Sequence, residues 1–261
     1  MVNTLRWRGR NVYCDARKFD PAAPPGAMRS GLIENTERPH IDRRTRLQIP
    51  AQRVLKRDPL LRRCDWGEVN LGFRDRASAQ LEASRCIQCP GAPCVKACPV
   101  HNDIPGALQE LERGNLIGAA EIFRRTNTMP EVCGRICPQE RLCQGSCVVG
   151  HQKRDPSAVP VAIGRLEAFV ADHQCVSGEP LPEQQRRRSG RRVAVVGSGP
   201  AGLTVAELLN EDGHDVIVYD AWPRPGGILR YGIPRFKLDP SVPQRKIAQL
   251  EARGVEFMGS T

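Results

Sequence analysis

The sequence predicts two joined units: an α-helical domain that carries most of the cysteines, then the opening of an α/β unit built on a strand–helix–strand repeat. Three observations carry this. Eight of the 11 cysteines fall into two quartets. Helical apolar periodicity runs before, between and after the quartets. From Val193 onward the texture changes to short β-branched runs punctuated by glycine. At 261 residues the chain has room for two domains of ordinary size.

Residues 1–65 are rich in Pro, Arg and Gly and lack periodicity, so an extended, partly disordered arm is expected there. Structure is expected from Trp66, with a helix from Phe73 to Cys86 that places Ala77 and Leu81 on one face. Ile104, Leu108 and Leu111 share a helical face that Gly114 can close as a C-cap. Asn115 can then cap a helix carrying Leu116, Ala119, Ala120 and Phe123. A further helix is predicted over 159–172, with Ile163, Leu166 and Val170 on its stripe, which closes a helical domain at 66–172. The polar segment 173–191 reads as a linker. In the unit over 192–261, a strand at Val193–Val196, a helix at Leu203–Asn210 ending at Gly213, a strand at Val216–Tyr219 and a third strand at Val255–Met258 are predicted.

Charge and composition narrow the function. The formal charge is +10, and Arg186, Arg187, Arg188, Arg191 and Arg192 crowd one short stretch. No nucleic-acid motif accompanies them and aromatic residues are only 5%, few for a stacking platform, so a solvated surface is the favoured reading and no nucleic-acid partner is expected. A basic surface can also steer an acidic redox partner or a phosphorylated cofactor. MVNTLRWRGR is charged from the start, no apolar leader follows, and no stretch approaches a membrane span. A cytoplasmic protein with reduced thiols and no membrane partner is expected, which turns the quartets toward metal or redox work.

The quartets read C-x2-C-x4-C-x3-C-P, at Cys86, Cys89, Cys94 and Cys98, and C-x3-C-x5-C-x3-C, at Cys133, Cys137, Cys143 and Cys147. Structural zinc sites usually present paired C-x2-C knuckles on separate arms. Here four cysteines fall within 13 residues and a proline follows the last. That is close to the bacterial ferredoxin run, in which three cysteines hold one cluster and the fourth reaches to another. By that logic Cys86, Cys89 and Cys94 share one [4Fe–4S] cluster, Cys98 crosses to a second, and Cys147 crosses back. The second cluster, with Cys98, Cys137 and Cys143, needs one more ligand. Cys133 is the simpler choice, and Glu167, at the edge of an apolar stripe, is the other. On the residues alone Cys133 is favoured. Cys14, Cys64 and Cys175 read as ordinary thiols.

Gly197-Ser198-Gly199-Pro200-Ala201-Gly202 fits G-x-G-x-x-G, follows a predicted strand and opens a helix. Asp220 ends the next strand, where its carboxylate can accept from ribose hydroxyls. A pyrophosphate can sit on the helix N-terminus. The proline in the loop and the later Gly226-Gly227 turn favour FAD over a nicotinamide cofactor.

Taken together, WGEVNLGF, ASRCIQC, PCVKACPVHNDIPG, NTMPEVCGRICPQERLCQGSCV, VAIGRLEAFVAD, VAVVGSGPAGL and PGGILRYGIPRFKLD resemble the small subunit of NADPH-dependent glutamate synthase and its relatives, over about residues 66–261. The resemblance implies an α-helical domain with two [4Fe–4S] clusters followed by a Rossmann-like FAD domain. It implies one cluster on Cys86, Cys89, Cys94 and Cys147. The other falls on Cys98, Cys137, Cys143 and Glu167, which displaces Cys133. FAD contacts fall on Gly197, Gly199, Pro200, Ala201, Gly202 and Asp220, with Gly226, Gly227, Ile228 and Leu229 near the flavin. It implies electron flow between NADPH, FAD and the clusters, and a partner such as the glutamate synthase large subunit. No second glycine-rich fingerprint appears before Thr261, so a chain cut short of the NADPH domain is expected. The competing expectation is a non-catalytic iron–sulfur electron-transfer or docking fragment.

Overall fold

The computed structural model describes residues 41–152, 155, 157–177 and 188–261, and two short antiparallel strands, β1 (Leu5–Trp7) and β2 (Arg10–Val12). The rest of the expected arm, and residues 178–187 of the expected linker, lie outside the described residues. Residues 41–65 differ from the expected arm. They hold α1 (Arg43–Gln48), capped by Asp42, and β3 (Leu55–Lys56), which pairs with β4 (Asn70–Gly72). The arginine that makes this stretch look polar is structural: Arg46 reaches the carbonyls of Ser84 and Cys86 at 2.8 and 3.2 Å and pairs with Glu112 at 2.8 Å.

The helical domain packs α2 (Arg76–Ala83), α4 (Ile104–Arg113), α5 (Leu116–Arg124), α6 (Pro130–Ile136) and α7 (Ile163–Ser177), with the one-turn α3 (Pro93–Ala97) inside the first cysteine run. α4 and α5 follow the sequence reading closely. Ile104, Leu108, Leu111, Leu116, Ala119, Ala120 and Phe123 are buried, Gly114 ends α4, and the Asn115 side chain accepts from the Gly118 N–H. α2 corrects it. Ala77 and Leu81 do share a face, but that face is exposed. The buried face carries Ala79 and Ala83 with Gln80 and Glu82, because Glu82 satisfies backbone groups and Arg85 inside the domain. α7 runs to Ser177, past the expected boundary into the linker.

The α/β unit has three parallel strands in the order β5 (Arg192–Val196), β6 (Asp215–Tyr219), β7 (Glu256–Met258). α8 (Pro200–Glu211) crosses from β5 to β6. The short α9 (Gly227–Tyr231) and α10 (Ser241–Ala252) lie between β6 and β7. Leu203, Ala206, Val216, Val218, Ile247 and Leu250 form its core, and Met129 and Val132 of the helical domain belong to the same apolar cluster. The two units therefore share a buried interface.

Candidate iron–sulfur site and dinucleotide loop

Two cavities gather the cysteines. The first, about 370 Å3 counting its open mouth, is lined by Cys86, Cys89, Cys94 and Cys147 against Ile87, Leu108, Val149 and Val161. The second, about 530 Å3 on the same measure, is lined by Cys98, Cys133, Cys137, Cys143 and Glu167 with Asn102 and Asn127. Ile104 and Ile163 line both, so the cavities adjoin. The quartets are thus split by space rather than by sequence: Cys98 faces the second cavity and Cys147 the first.

Local structure explains the gathering. Between Cys86 and Cys94 the chain passes through the left-handed region at Gln88 (φ 52°) and Ala92 (φ 35°), which winds the loop around the first cavity. Arg46 pins the start of that loop through the Cys86 carbonyl. On the other side α6 lies directly on α7. A Cβ at Gly134 would stand 2.6 Å from the Ala168 nitrogen and 2.7 Å from the Gly164 oxygen, so only glycine permits this approach. It brings Cys133 and Cys137 to the same cavity as Glu167.

The electrostatics suit a cation. Burial pushes the Cys86, Cys133 and Cys143 thiols up to about 12 and Cys94 to about 11, with neighbouring thiolates or Glu167 adding to the rise. Burial also raises Glu167 to about 8, against hydrogen bonds from Asn127 and Asn102. Donors held protonated in this way release protons when a metal centre replaces them. Among the described residues no three Cys, His, Asp or Glu side chains converge closely enough to share one metal ion. Four thiols line the first cavity, and four thiols and one carboxyl group the second, enough donors for a metal centre in each. Among the described residues ten thiols are free, and of these Cys64 and Cys175 line neither cavity. Cys14 lies outside the described residues.

The dinucleotide loop joins β5 to α8. A Cβ at Gly202 would stand 1.8 Å from the Gly197 oxygen, so the third glycine of the fingerprint lets the helix start against the strand. Asp220 ends β6 as predicted, but its carboxylate is taken up by its own chain. Oδ2 accepts from the Ser198 N–H at 2.7 Å and the Ser198 hydroxyl, and Oδ1 accepts from the Trp222 N–H at 2.8 Å. The Ser198 Oγ in turn accepts the Gly226 N–H at 2.9 Å, tying the loop to the Gly226-Gly227 turn. Leu229 is buried in the core of the unit, whereas Ile228 is exposed. Arg188 and Asp215 pair at 3.1 Å on the surface, so this part of the arginine run is solvated as expected.

Residue-level reading of the sequence missed Arg46, Asn102 and Asn127. Arg46 sits in an arginine-rich stretch that gives it no distinguishing signal, and the two asparagines act only through folding that brings them to Glu167.

A helical domain with two adjoining thiol-lined cavities, joined to a glycine-loop α/β unit, is the arrangement of an iron–sulfur domain followed by a dinucleotide-binding unit. Known proteins agree. The family model for dihydropyrimidine dehydrogenase domain II, 4Fe-4S cluster, matches residues 62–179, and that for an NAD(P)-binding Rossmann-like domain matches 195–239. The chain is 42% identical over 208 residues to the glutamate synthase [NADPH] small chain of Azospirillum brasilense, covering 79% of this chain and 42% of that one. It is 37% identical over 212 residues to the Escherichia coli small chain, covering 81% and 43%. It is 41% identical over 174 residues to the NAD-dependent dihydropyrimidine dehydrogenase subunit PreT of Escherichia coli, covering 67% and 41%. The chain belongs to the family of the glutamate synthase small chain and its relatives, and spans about two fifths of the length of each of these three. Among the described residues no helix is long and apolar enough to cross a membrane.

Proposed function

We propose that this chain is the electron-transferring part of an iron–sulfur flavoprotein oxidoreductase of the glutamate synthase small-chain type. Its helical domain holds two [4Fe–4S] clusters and its α/β unit holds FAD. The observation that carries this is the pair of adjoining cavities, each lined by four or more cysteine or glutamate donors. Cys86, Cys89, Cys94 and Cys147 would hold one cluster, and Cys98, Cys137, Cys143 and Glu167 the other. When bound, the clusters supply one-electron carriers and the flavin a two-electron acceptor that releases electrons singly.

The chain's own residues orient and enclose. Ile104 and Ile163 wall the cavities from each other and, with Leu108, Phe123 and Val161, limit water at the thiols. Gly197, Gly199, Pro200, Ala201 and Gly202 would cradle the pyrophosphate at the start of α8. Asp220 would hold that loop and the ribose, with Gly226, Gly227, Ile228 and Leu229 bordering the flavin. The relatives' names extend the proposal to NADPH as electron source, a large subunit as partner and glutamate synthesis as end reaction.

Purified without oxygen, the chain should be brown and contain about eight iron atoms, the load of two [4Fe–4S] clusters. A colourless protein containing zinc would overturn the proposal. The engagement of Asp220 by Ser198 and Trp222 supports a second reading, an iron–sulfur module that transfers electrons or docks without flavin. Flavin released on denaturation decides between the two: its presence supports the first, and a brown protein without it supports the second.

A further inference from the structure

The second cavity presents five donors where a [4Fe–4S] cluster uses four: Cys98, Cys133, Cys137, Cys143 and Glu167. Asn127 touches the two that compete for the last position. The backbone fixes its orientation, since the Met129 N–H donates to Asn127 Oδ1 at 3.0 Å. The amide NH2 must then face the other way, and it donates to Glu167 Oε1 at 2.8 Å. The same Oδ1 accepts the Cys133 S–H at 3.7 Å. Asn102 works in parallel. Its Oδ1 accepts the Thr126 hydroxyl at 2.8 Å and its Nδ2 donates to Glu167 Oε1 at 3.2 Å. Both amides therefore hold the same oxygen of a carboxyl group that lines the cavity.

Resting on the reading that this cavity holds a [4Fe–4S] cluster, we propose that Asn127 is a positioning residue that selects Glu167 over Cys133 as the cluster's fourth ligand. It donates to the acid and so orients that carboxyl group, and it accepts from the thiol and so holds that sulfur against the amide. Cys133 is then a spare donor that ligates only when Asn127 no longer discriminates.

The test uses the full chain purified without oxygen. Cys133→Ala alone should leave iron content and the EPR spectrum of the reduced clusters unchanged. Asn127→Asp keeps the acceptor for the Met129 N–H but turns an acceptor toward Glu167, and Asn127→Leu removes both contacts. In each, the second cluster should persist with an altered EPR spectrum and midpoint potential. Cys133 should also become essential, so that adding Cys133→Ala lowers iron to about half, one [4Fe–4S] cluster of two. The proposal is overturned if Asn127→Asp and Asn127→Leu match the unmodified chain. Loss of the second cluster from both while Cys133 is present also overturns it, as does full iron in the doubly substituted chains. An unmodified chain without iron, or loss of a cluster from Cys133→Ala alone, instead marks failure of the underlying ligand reading and removes the proposal with it.

Discussion

Two buried glutamates answer burial in different ways. Glu82 is satisfied wholly by its own chain, accepting from Gln52 N–H at 2.8 Å, Ala162 N–H at 2.9 Å and Arg85 at 2.7 Å. Glu167, 6% exposed, is held by two asparagines at one oxygen and lines a cavity. The difference predicts different phenotypes. Glu82→Ala leaves a buried arginine and two backbone N–H groups without their acceptor and should cost about 3–5 kcal/mol, read by denaturant unfolding. Glu167→Ala should perturb the potential or occupancy of one cluster, read by EPR and iron assay, whereas Cys133→Ala should leave the iron intact. Asp220 adds a pH dependence. Burial pulls its carboxyl upward, but hydrogen bonds from Ser198 and Trp222 outweigh this and hold it below the ordinary range. Its contribution is therefore complete above the ordinary value of about 3.9 and is lost as pH falls through the lower folded value. Asp220→Asn should flatten that part of the acid limb of a stability curve.

At the scale of elements, the contact of α6 on α7 makes the second cavity. Gly134→Ala would place a methyl group 2.6–2.7 Å from the backbone at Ala168 and Gly164, which neither helix can yield without moving. Such overpacking should cost roughly 1–3 kcal/mol and separate Cys133 and Cys137 from Glu167. The measurable outcome is a lower Tm with selective loss of the second cluster's EPR signal. The elements themselves were largely legible. α4 and α5 carry a clean apolar stripe and capping residues, so local chemistry and tertiary packing agree there. α2 was misread because its buried face is half polar, and a buried Glu82 or Gln80 looks like surface to any periodicity argument. α1 was missed because an arginine that caps carbonyls and an arginine in solvent are the same letter.

Across the whole molecule, Asp172 of α7 links the units through ion pairs on both sides. Arg135 on α6 contacts Glu68 at 2.9 Å and Asp172 at 2.5 Å, and Asp172 also receives Arg245 of α10 at 2.9 Å. Val69 and Phe236 join by a backbone hydrogen bond of 3.0 Å beside the stacked Trp66 and Phe236 rings. Removing the cation by Arg135→Met leaves Glu68 without its partner while Asp172 keeps Arg245, and should cost about 1–3 kcal/mol, read by denaturant unfolding. Exchange of Cys98 and Cys147 between cavities acts in the same direction inside the helical domain, since neither cavity can be emptied without freeing a segment that lines the other.

The sequence by itself determined the chemistry: thiol spacing, the glycine fingerprint and Asp220 at the end of β6 each depend on residues near one another in the chain, where spacing dictates geometry. It also determined the order of helical and α/β units, because periodicity is a local property. Only the tertiary structure decided which thiols share a cavity, that Glu167 and Cys133 both reach the second one, and that Asn127 stands between them. The deciding relations join distant residues, Asn127 and Glu167 across 40 positions, through the packing of α6 on α7, and no local pattern records a contact that exists only once two helices touch.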